Sequence, residues 1–421
     1  MNAVLQRAEQ GFLARFDGLR DRLPGDAAVR AAAAAAFRAI GLPTLRNEAW
    51  KYTNLRPVAE GVFSEALTPV ANCDSLLAAL PTMEGGRLVF LDGRFRSDLS
   101  TVPTGIHLSR FADDPAFGAL AQPERHPLVA LNTMLAEDGA AIEVPPGRDG
   151  GVLQLVSLAT DGRGRPVSFH PRHRVHLAEG ARLTLLETST GEGEYLHNPV
   201  IEVRVGSGAS LTHVRLQDEA AGGFHLATVY AEVEAAGVYD AFALTLGGRV
   251  VRTEFHARLT GPGGAVHLNG AQLLAGRQVA DFTSVVAHDA PNCASRQTVK
   301  NVLAGRSRGV FQGRIEVARA AQKTDGYQMN QALLLSPEAE IDSKPELEIF
   351  ADDVKCSHGA TVGELDPDQL FYLRARGIPE AEARSILVRA FLAEALDLVV
   401  NDEVRAALDA RVSGWWERQA A

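Results

Sequence analysis

The chain has 421 residues, of which 46% are hydrophobic and 22% are charged. Its formal net charge of −10 argues against a general nucleic-acid surface or an anionic-membrane surface, because both need clustered Lys and Arg. The N-terminus lacks the apolar core of a secretory signal, no apolar run reaches the roughly 18–20 residues that span a bilayer, and the cysteines are widely spaced, so we expect a cytoplasmic protein without a disulfide framework.

Residues 1–85 are predicted to form an N-terminal helical domain. Apolar residues recur at helical spacing between Leu5 and Leu19, which predicts a first helix. Asp26 is a suitable cap for a second helix, and the alanine-rich run that follows favours it. In the run 46–53, aromatic residues stand among charged ones, which indicates a helix end that packs on the next domain.

Residues 86–363 are predicted to form the β core, because short alternating strands replace the helical pattern. Turn glycines recur there at Gly180, Gly208, Gly237 and Gly264, which are 28, 29 and 27 residues apart. A regular interval of this length is typical of a coiled repeat, in which each coil buries apolar side chains against its neighbours. A β-solenoid explains the interval better than a sandwich, whose turns come about every 8–12 residues.

Residues 364–421 are predicted to form a C-terminal helical domain. Asp366 and Pro367 are a typical helix start, with a cap residue and a proline at the first helical position. Apolar residues of this helix and of the next one include Leu370, Phe371, Ile386, Leu387 and Phe391. The pair Trp415-Trp416 follows in a third helix. These residues either pack against the end of the solenoid or form a docking surface for another subunit, and both alternatives stay open.

Cys356 and His358 are the pair with the clearest chemical signature. In a strand they would point to the same face, and thiolate and imidazole both suit iron, zinc or sulfur chemistry. A full metal site needs three or four ligands, so the pair indicates either half a site that another chain completes or no site at all. The strand that precedes it, 345–350, carries Glu346 and Glu348 on one face.

Other chemical motifs are weak. No G-x-S-x-G, Walker A or G-x-G-x-x-G motif opens a helix after a strand. The histidines of the strand region form no H-x-H or H-E-x-x-H unit, and His173 and His176 would face opposite ways in a strand, so we expect surface or core histidines. A stand-alone β-solenoid enzyme acting on polysaccharide is an alternative, with Glu346 and Glu348 as its carboxylates, but 6% aromatic residues offer few platforms for sugar rings.

Several segments resemble the shared core of the SufB/SufD family of iron–sulfur cluster assembly proteins, over roughly residues 125–400. These segments are 323–336, 344–349, 352–361 and 370–378. The helical N-terminus with the run 46–53 resembles the SufD branch. A SufB-like primary scaffold is the alternative within the family; it would need an additional persulfide-accepting cysteine, for which Cys293 is the candidate, and its predicted turn setting argues against that role.

The resemblance implies a mainly β protein, with a right-handed parallel β-helix between an N-terminal and a C-terminal helical domain. It implies a non-catalytic subunit that pairs with SufB through the β-helices and binds the ATPase SufC through its C-terminal helices. ATP hydrolysis would then belong to SufC, which supplies the Walker motif that this chain lacks. The docking surface would include Leu370, Phe371, Ile386, Leu387 and Phe391. The isolated chain could form a homodimer through the surface that SufB would cover.

The resemblance also assigns the Cys356–His358 segment to the SufB–SufD interface, where a transient iron–sulfur cluster forms between a SufB thiolate and His358. Cys356 would be auxiliary, and Glu346 and Glu348 would either aid iron delivery or, as we favour, be structural. A histidine suits a transient site, because four firm thiolates would retain the cluster. Some members use a reduced flavin; we find no flavin motif, so flavin use stays open, and no tightly bound cofactor is expected in the isolated chain.

Overall fold

The computed structural model describes residues 2–66, 73–114, 117–160 and 164–420. The α-helices in these ranges are α1 (Asn2–Leu19), α2 (Ala27–Ile40), α3 (Arg56–Glu60), α4 (Asp74–Ala78), α5 (Pro127–Leu135), α6 (Pro367–Ala375), α7 (Glu380–Leu396) and α8 (Asp402–Ala420). Asp26 caps α2 and Asp366 caps α6, each by accepting from two backbone N–H groups of the first turn. Both predicted helix starts are therefore confirmed.

Strands fill the chain between these two groups of helices. They are β1 (Ser64–Glu65), β2 (Gly86–Leu91), β3 (Arg94–Phe95), β4 (His107–Arg110), β5 (Ala140–Val144), β6 (Asp149–Ala159), β7 (Val167–Phe169), β8 (Arg172–Leu177), β9 (Arg182–Gly191), β10 (Tyr195–His197), β11 (Val200–Val205), β12 (Ser210–Asp218), β13 (Phe224–Val233), β14 (Val238–Thr245), β15 (Val250–Leu259), β16 (Ala265–Leu274), β17 (Val279–His288), β18 (Ala294–Leu303), β19 (Arg308–Val317), β20 (Asp325–Leu334), β21 (Glu340–Ile349) and β22 (Lys355–Gly363). The domain limits at 85 and 363 stay a prediction.

The strands form two long sheets that face each other. Sheet A runs in the order β21-β19-β17-β15-β13-β11-β8-β5-β4, and sheet B in the order β22-β20-β18-β16-β14-β12-β9-β6-β2-β3. Neighbours are parallel except at the starting ends, where β4 pairs with β5 and β3 with β2 in antiparallel fashion. From β11 onwards, successive strands thus alternate between the sheets. The predicted fold class is confirmed: a mainly β, parallel solenoid with helices before and after it.

The register of sheet B explains the glycine interval. Leu183 pairs with Leu211, Leu211 with Tyr239, and Tyr239 with Val266, so the coils are 28, 28 and 27 residues long. The turn before each strand needs one residue in the left-handed region, which glycine adopts at little cost. That residue is Gly180 and Gly208 in two coils, as predicted, but it precedes Gly237 and Gly264 by one position in the others.

Helices α1, α2 and α5 cover the outer face of sheet A. Residues of α1, α2 and α5 join Leu196 and Phe224 of the sheet in one apolar cluster. The run 46–53 packs on the solenoid as its composition predicts. The ring of Trp50 lies over the Arg252 guanidinium, whose carbon is 4.1 Å from the ring centroid, and Thr53 Oγ1 donates to Asp281.

Helices α7 and α8 cover the outer face of sheet B. Leu392 of α7 and Trp415 of α8 belong to one apolar cluster with Val214 and Phe242 of the sheet. Trp415 therefore supports the packing alternative, but against a sheet face and not at the end of the solenoid, and docking through this region stays a prediction. None of the helices in the described ranges combines the length and the apolar character that crossing a bilayer requires.

Candidate functional site

The last coil of the solenoid is open. β21 is paired with β19 and β22 with β20, and among the described residues no strand pairs with their other edges. In a β-solenoid each coil is covered by the next one. Because no further coil follows, the side chains of β21 and β22 that face the interior are exposed or half-buried.

Cys356 and His358 lie on the interior face of this open coil. Cys356 pairs with Gly326 and His358 with Gln328, and both β20 residues are buried inside the solenoid. A Cβ at position 326 would come within 3.3 Å of Cys356 Sγ, so the glycine leaves the space that the thiol occupies. His358 is exposed. The two side chains share one face, as their spacing predicts, and that face is the inner one.

The setting of Cys356 disfavours its thiolate. Its thiol is half-buried and packs beside the apolar cluster of Ile315, Val317 and Ala351. Burial raises the pKa of the Cys356 thiol, and the nearby Asp325 carboxylate adds to that rise. The thiol of the isolated chain is therefore a weak nucleophile at neutral pH, and binding of a metal ion would have to displace its proton.

Glu346 and Glu348 lie on the opposite side of the coil. They pair with Arg314 and Glu316 of β19 and face outward with them. Arg314 lies 3.4 Å from Glu346 and 3.7 Å from Glu348, and Lys344 lies 3.3 Å from Glu346. The structure therefore does not bring the two carboxylates together with Cys356 and His358. Their ion pairs fit the structural role that we favour for them.

A column of polar side chains, Ser284, Gln297 and Gln328, leads through the interior towards the open end. Ser284 Oγ donates to Gln297 Oε1 at 2.5 Å, and Gln297 pairs in register with Gln328. The Gln328 amide is buried, and neither its oxygen nor its nitrogen has a hydrogen-bond partner among the described groups. This column was not predicted from the sequence, although polar residues at alternate positions of β18 and β20 are a signal for it.

A second polar group is sealed deeper in the solenoid. The carboxylate of Glu219 lies 3.1 Å from His197 Nδ1 and 2.7 Å from His225 Nδ1, and Glu187 lies 2.8 Å from Arg215. All five side chains are at most 5% exposed. Burial alone would raise the pKa of Glu219, but His225 and His197 hold it below its usual range. These are core histidines, as expected, and both lie against the one buried carboxylate of Glu219.

A third group lies on the outer face of sheet A. His126, Glu254 and His256 offer one ligand atom each, and these atoms lie within 4.8 Å of one another. Desolvation, together with the neighbouring His256, lowers the pKa of His126 to about 4. This group was not predicted from the sequence either. The Glu-x-His spacing in β15 was a partial signal, but His126 is distant in sequence.

The predicted docking residues of the C-terminal helices do not share one face. Phe371 is 73% exposed and Ile386 is 40% exposed, whereas Leu370 and Leu387 are half-buried. Phe391 packs towards the solenoid, with Lys300 Nζ 4.3 Å from its ring centroid. The α7 residues that are buried against the solenoid are Ala383, Val388, Leu392, Ala395 and Leu396.

Cys293 occupies the turn that the sequence predicts for it. It is 1% exposed, and its thiol donates to the carbonyl oxygen of Gly261 at 3.3 Å. Burial raises the pKa of the Cys293 thiol. A buried thiol with a raised pKa is inert in thiol chemistry, which fits a structural cysteine.

Comparison with known proteins adds an independent finding. A family model described as "SUF system FeS cluster assembly, SufBD core domain" matches residues 158–391, and one described as "SufBD protein N-terminal region" matches residues 25–150. The chain is 33% identical to the iron–sulfur cluster assembly protein SufD of Escherichia coli (strain K12), over 88% of this chain and 89% of that protein. It is 32% identical to the chloroplastic protein ABCI7 of Arabidopsis thaliana, over 86% and 80%.

Proposed function

Because the chain belongs to the SufBD family of iron–sulfur cluster assembly proteins, we propose that it is the SufD-like, non-catalytic subunit of a scaffold complex on which clusters are assembled. It pairs there with SufB and contributes to iron acquisition and to a cluster-assembly site at the shared interface, in the cytoplasm. The observation that carries the proposal is the open end of the solenoid, where Cys356 and His358 face an uncovered interior.

The open end suits a second β-helix as its partner. A strand edge without a neighbour is a template for pairing with another chain, and a coil without a successor leaves its interior side chains uncovered. A β-helix of SufB placed at this end would cover β21 and β22 and bring its own ligands to Cys356 and His358. The isolated chain, which lacks that partner, is expected to pair with itself through the same end.

His358 is the proposed ligand from this chain. Its exposed imidazole can bind iron of a nascent cluster, while a SufB thiolate binds from the other side. An imidazole holds the cluster less firmly than a fourth thiolate would, so a cluster at this site can be passed on. Cys356 is auxiliary, because its raised pKa keeps it protonated until iron displaces the proton.

The C-terminal helices provide the proposed docking surface for the ATPase SufC. Phe371, Tyr372 and Ile386 are 73%, 57% and 40% exposed, respectively. Exposed aromatic residues are enriched among the residues that dominate binding energy at interfaces. ATP hydrolysis belongs to SufC in this proposal, and the rearrangement that it drives reaches the solenoid through α6 and α7.

The test is anaerobic co-expression of the chain with its SufB and SufC counterparts, comparing wild type with His358→Ala. The control is His176→Ala, since His176 is a half-exposed histidine on the outer face of β8. We expect all three complexes to co-purify, with bound iron, sulfide and visible absorbance lost in His358→Ala alone. An intact His358→Ala complex with a normal cluster would contradict the proposal and move the chemistry wholly onto SufB.

A further inference from the structure

We propose that His126, Glu254 and His256 form a binding site for a divalent transition-metal ion on the outer face of sheet A. The site is separate from the open end of the solenoid, because β15, which carries two of its ligands, lies three strands from β21 in the same sheet. At about 4.8 Å per strand, this separation is roughly 14 Å. The inference does not rest on the proposed function, since it concerns the metal ion alone.

The donor set and its spacing fit such an ion. Two imidazoles and one carboxylate are a known ligand set for zinc and for non-haem iron(II). His256 Nε2 lies 3.0 Å from Glu254 Oε1, and His126 Nδ1 lies 3.7 Å from the same oxygen. With metal–ligand bonds of about 2.0–2.2 Å, neighbouring ligand atoms are roughly 2.9–3.5 Å apart. A small movement of His126 would therefore close the site around an ion.

The three side chains are held on a rigid support. Glu254 and His256 are two residues apart in β15 and point outward, while Phe255 between them is buried in the core. The His256 ring stacks on Tyr230 of the neighbouring strand β13, with centroids 5.0 Å apart. The His126 ring lies 4.4 Å from that of His256. Ligands on strands with packed rings lose little freedom when an ion binds.

The charge around Glu254 leaves one carboxylate oxygen for an ion. Arg252 Nε donates to Glu254 Oε2 at 3.0 Å, which leaves Oε1 towards the histidines. Arg252 Nη1 also donates to Asp281 at 2.5 Å. The single positive charge of Arg252 is thus shared by two carboxylates. Arg252, Glu254 and Asp281 together keep one net negative charge. Hydrogen bonds of this kind to a ligating carboxylate fix its orientation.

The site opens into a groove from which an ion can enter. His126, Glu254 and His256 line a groove of about 810 Å³ between sheet A, the loop before α5 and the run around Glu48. Their side chains are 26%, 10% and 16% exposed, so water can complete the coordination of an ion. The sealed group of His197, Glu219 and His225 differs, because both oxygens of its carboxylate are already in contact with imidazoles.

The test uses the metal-free full chain, titrated with Co²⁺ as a spectroscopic probe and with Fe²⁺ under anaerobic conditions. We expect one equivalent to bind. His126→Gln and His256→Gln should each weaken binding by at least about 100-fold, since even an outer-sphere partner is worth 10–100-fold. The control is His267→Gln, which removes a histidine paired with a single carboxylate, Asp240, at 2.7 Å; it should bind as wild type does.

Unchanged binding in both ligand variants, or no binding to wild type, would overturn the inference. If either variant fails to fold, crystals of the wild-type chain soaked in Co²⁺ decide the question. An anomalous peak between His126, Glu254 and His256 supports the site, and its absence there contradicts it. Failure of this test leaves the His358→Ala experiment unaffected, and the reverse also holds, because one measures the isolated chain and the other the assembled complex.

Discussion

Gln328 and His358 are direct neighbours on the interior face of the solenoid, because the two residues pair in register across β20 and β22. Gln328 is 0% exposed and its amide lacks partners among the described groups, whereas His358 is exposed. The interior just behind the proposed cluster-assembly site is therefore polar, although a coil end that served stability alone would be filled with apolar side chains.

The first prediction concerns this amide. Gln328→Leu should stabilise the isolated chain by about 1 kcal/mol, because it removes buried polar atoms that have no partner. Gln297→Leu is the matched control on the next coil; it deprives Ser284 of its acceptor and should cost about 1–3 kcal/mol. The measurement is the free energy of unfolding in urea. A loss at Gln328 as large as that at Gln297 would contradict the prediction.

A second prediction concerns acid stability. Burial lowers the pKa of His173 to about 4, and its Nδ1 accepts from the Ala140 backbone N–H at 3.1 Å, which needs a neutral ring. The unfolded pKa is about 6.5. Between pH 6.5 and pH 4 the unfolded chain binds the extra proton, so stability falls with falling pH by up to about 1.4 kcal/mol per pH unit. Above pH 6.5 this histidine contributes no pH dependence.

Two variants on one strand test that slope. His173→Gln removes the buried group and should reduce the slope of the unfolding free energy with pH between 6.5 and 4 by up to about 1.4 kcal/mol per pH unit. The slope that remains comes from the other buried histidines with lowered pKa values, such as His126 and His288. His176→Gln removes the half-exposed neighbour and should leave the slope as in wild type. Equal slopes in wild type and His173→Gln would show that His173 is not the titrating group.

The fold was largely predictable because its information is local and repeated. The glycine interval predicts a solenoid, since the turns before β9, β12, β14 and β16 each hold one left-handed residue. The predicted left-handed position is wrong by one residue in two coils. It is Ala236 and not Gly237 in one, and Gly263 and not Gly264 in the other. A left-handed alanine carries no signature in the sequence, so the register of those coils emerges only from strand pairing.

The candidate site was predictable only in part. Spacing alone places Cys356 and His358 on one face of a strand, but which face is inner depends on pairing with β20. The same limit applies to α7, whose apolar residues surround the helix. The stripe that the sequence favours runs from Ile386 to Val399, and its Ala395 and Leu396 are buried. Ile386 is exposed instead, and Leu392 is buried in its place. Tertiary contact, and not the helical pattern, decides which side of such a helix is buried.

A third prediction compares two arginines of β15. Arg252 is 1% exposed and lies between Asp281 and Glu254, so Arg252→Met leaves two buried carboxylates without their cation. We expect a cost of about 3–5 kcal/mol, as for other broken buried ion pairs. Arg258 is 57% exposed and pairs with Asp289 at 2.6 Å; Arg258→Met should cost at most about 1 kcal/mol. Urea unfolding of both variants measures the difference, and similar costs would contradict it.

The last prediction separates docking from packing on the C-terminal helices. Phe371 is 73% exposed, so Phe371→Ala should change the unfolding free energy by no more than about 0.5 kcal/mol. If α6 docks the ATPase, the same change should weaken ATPase binding at least about 10-fold, which is typical of an aromatic anchor. Phe391 packs beside Lys300, and Phe391→Ala should instead cost about 2 kcal/mol of stability.

Urea unfolding and calorimetric titration with the purified ATPase distinguish these outcomes on the same two proteins. A fully stable Phe371→Ala chain that binds the ATPase as wild type does would remove this residue from the docking surface. If Phe391→Ala weakened binding without any loss of stability, the ring would contact the partner and not the solenoid. Phe391 would then be a docking residue. A side chain that packs against its own chain in the free protein is not available as an anchor for another chain, so packing and docking by Phe391 exclude each other.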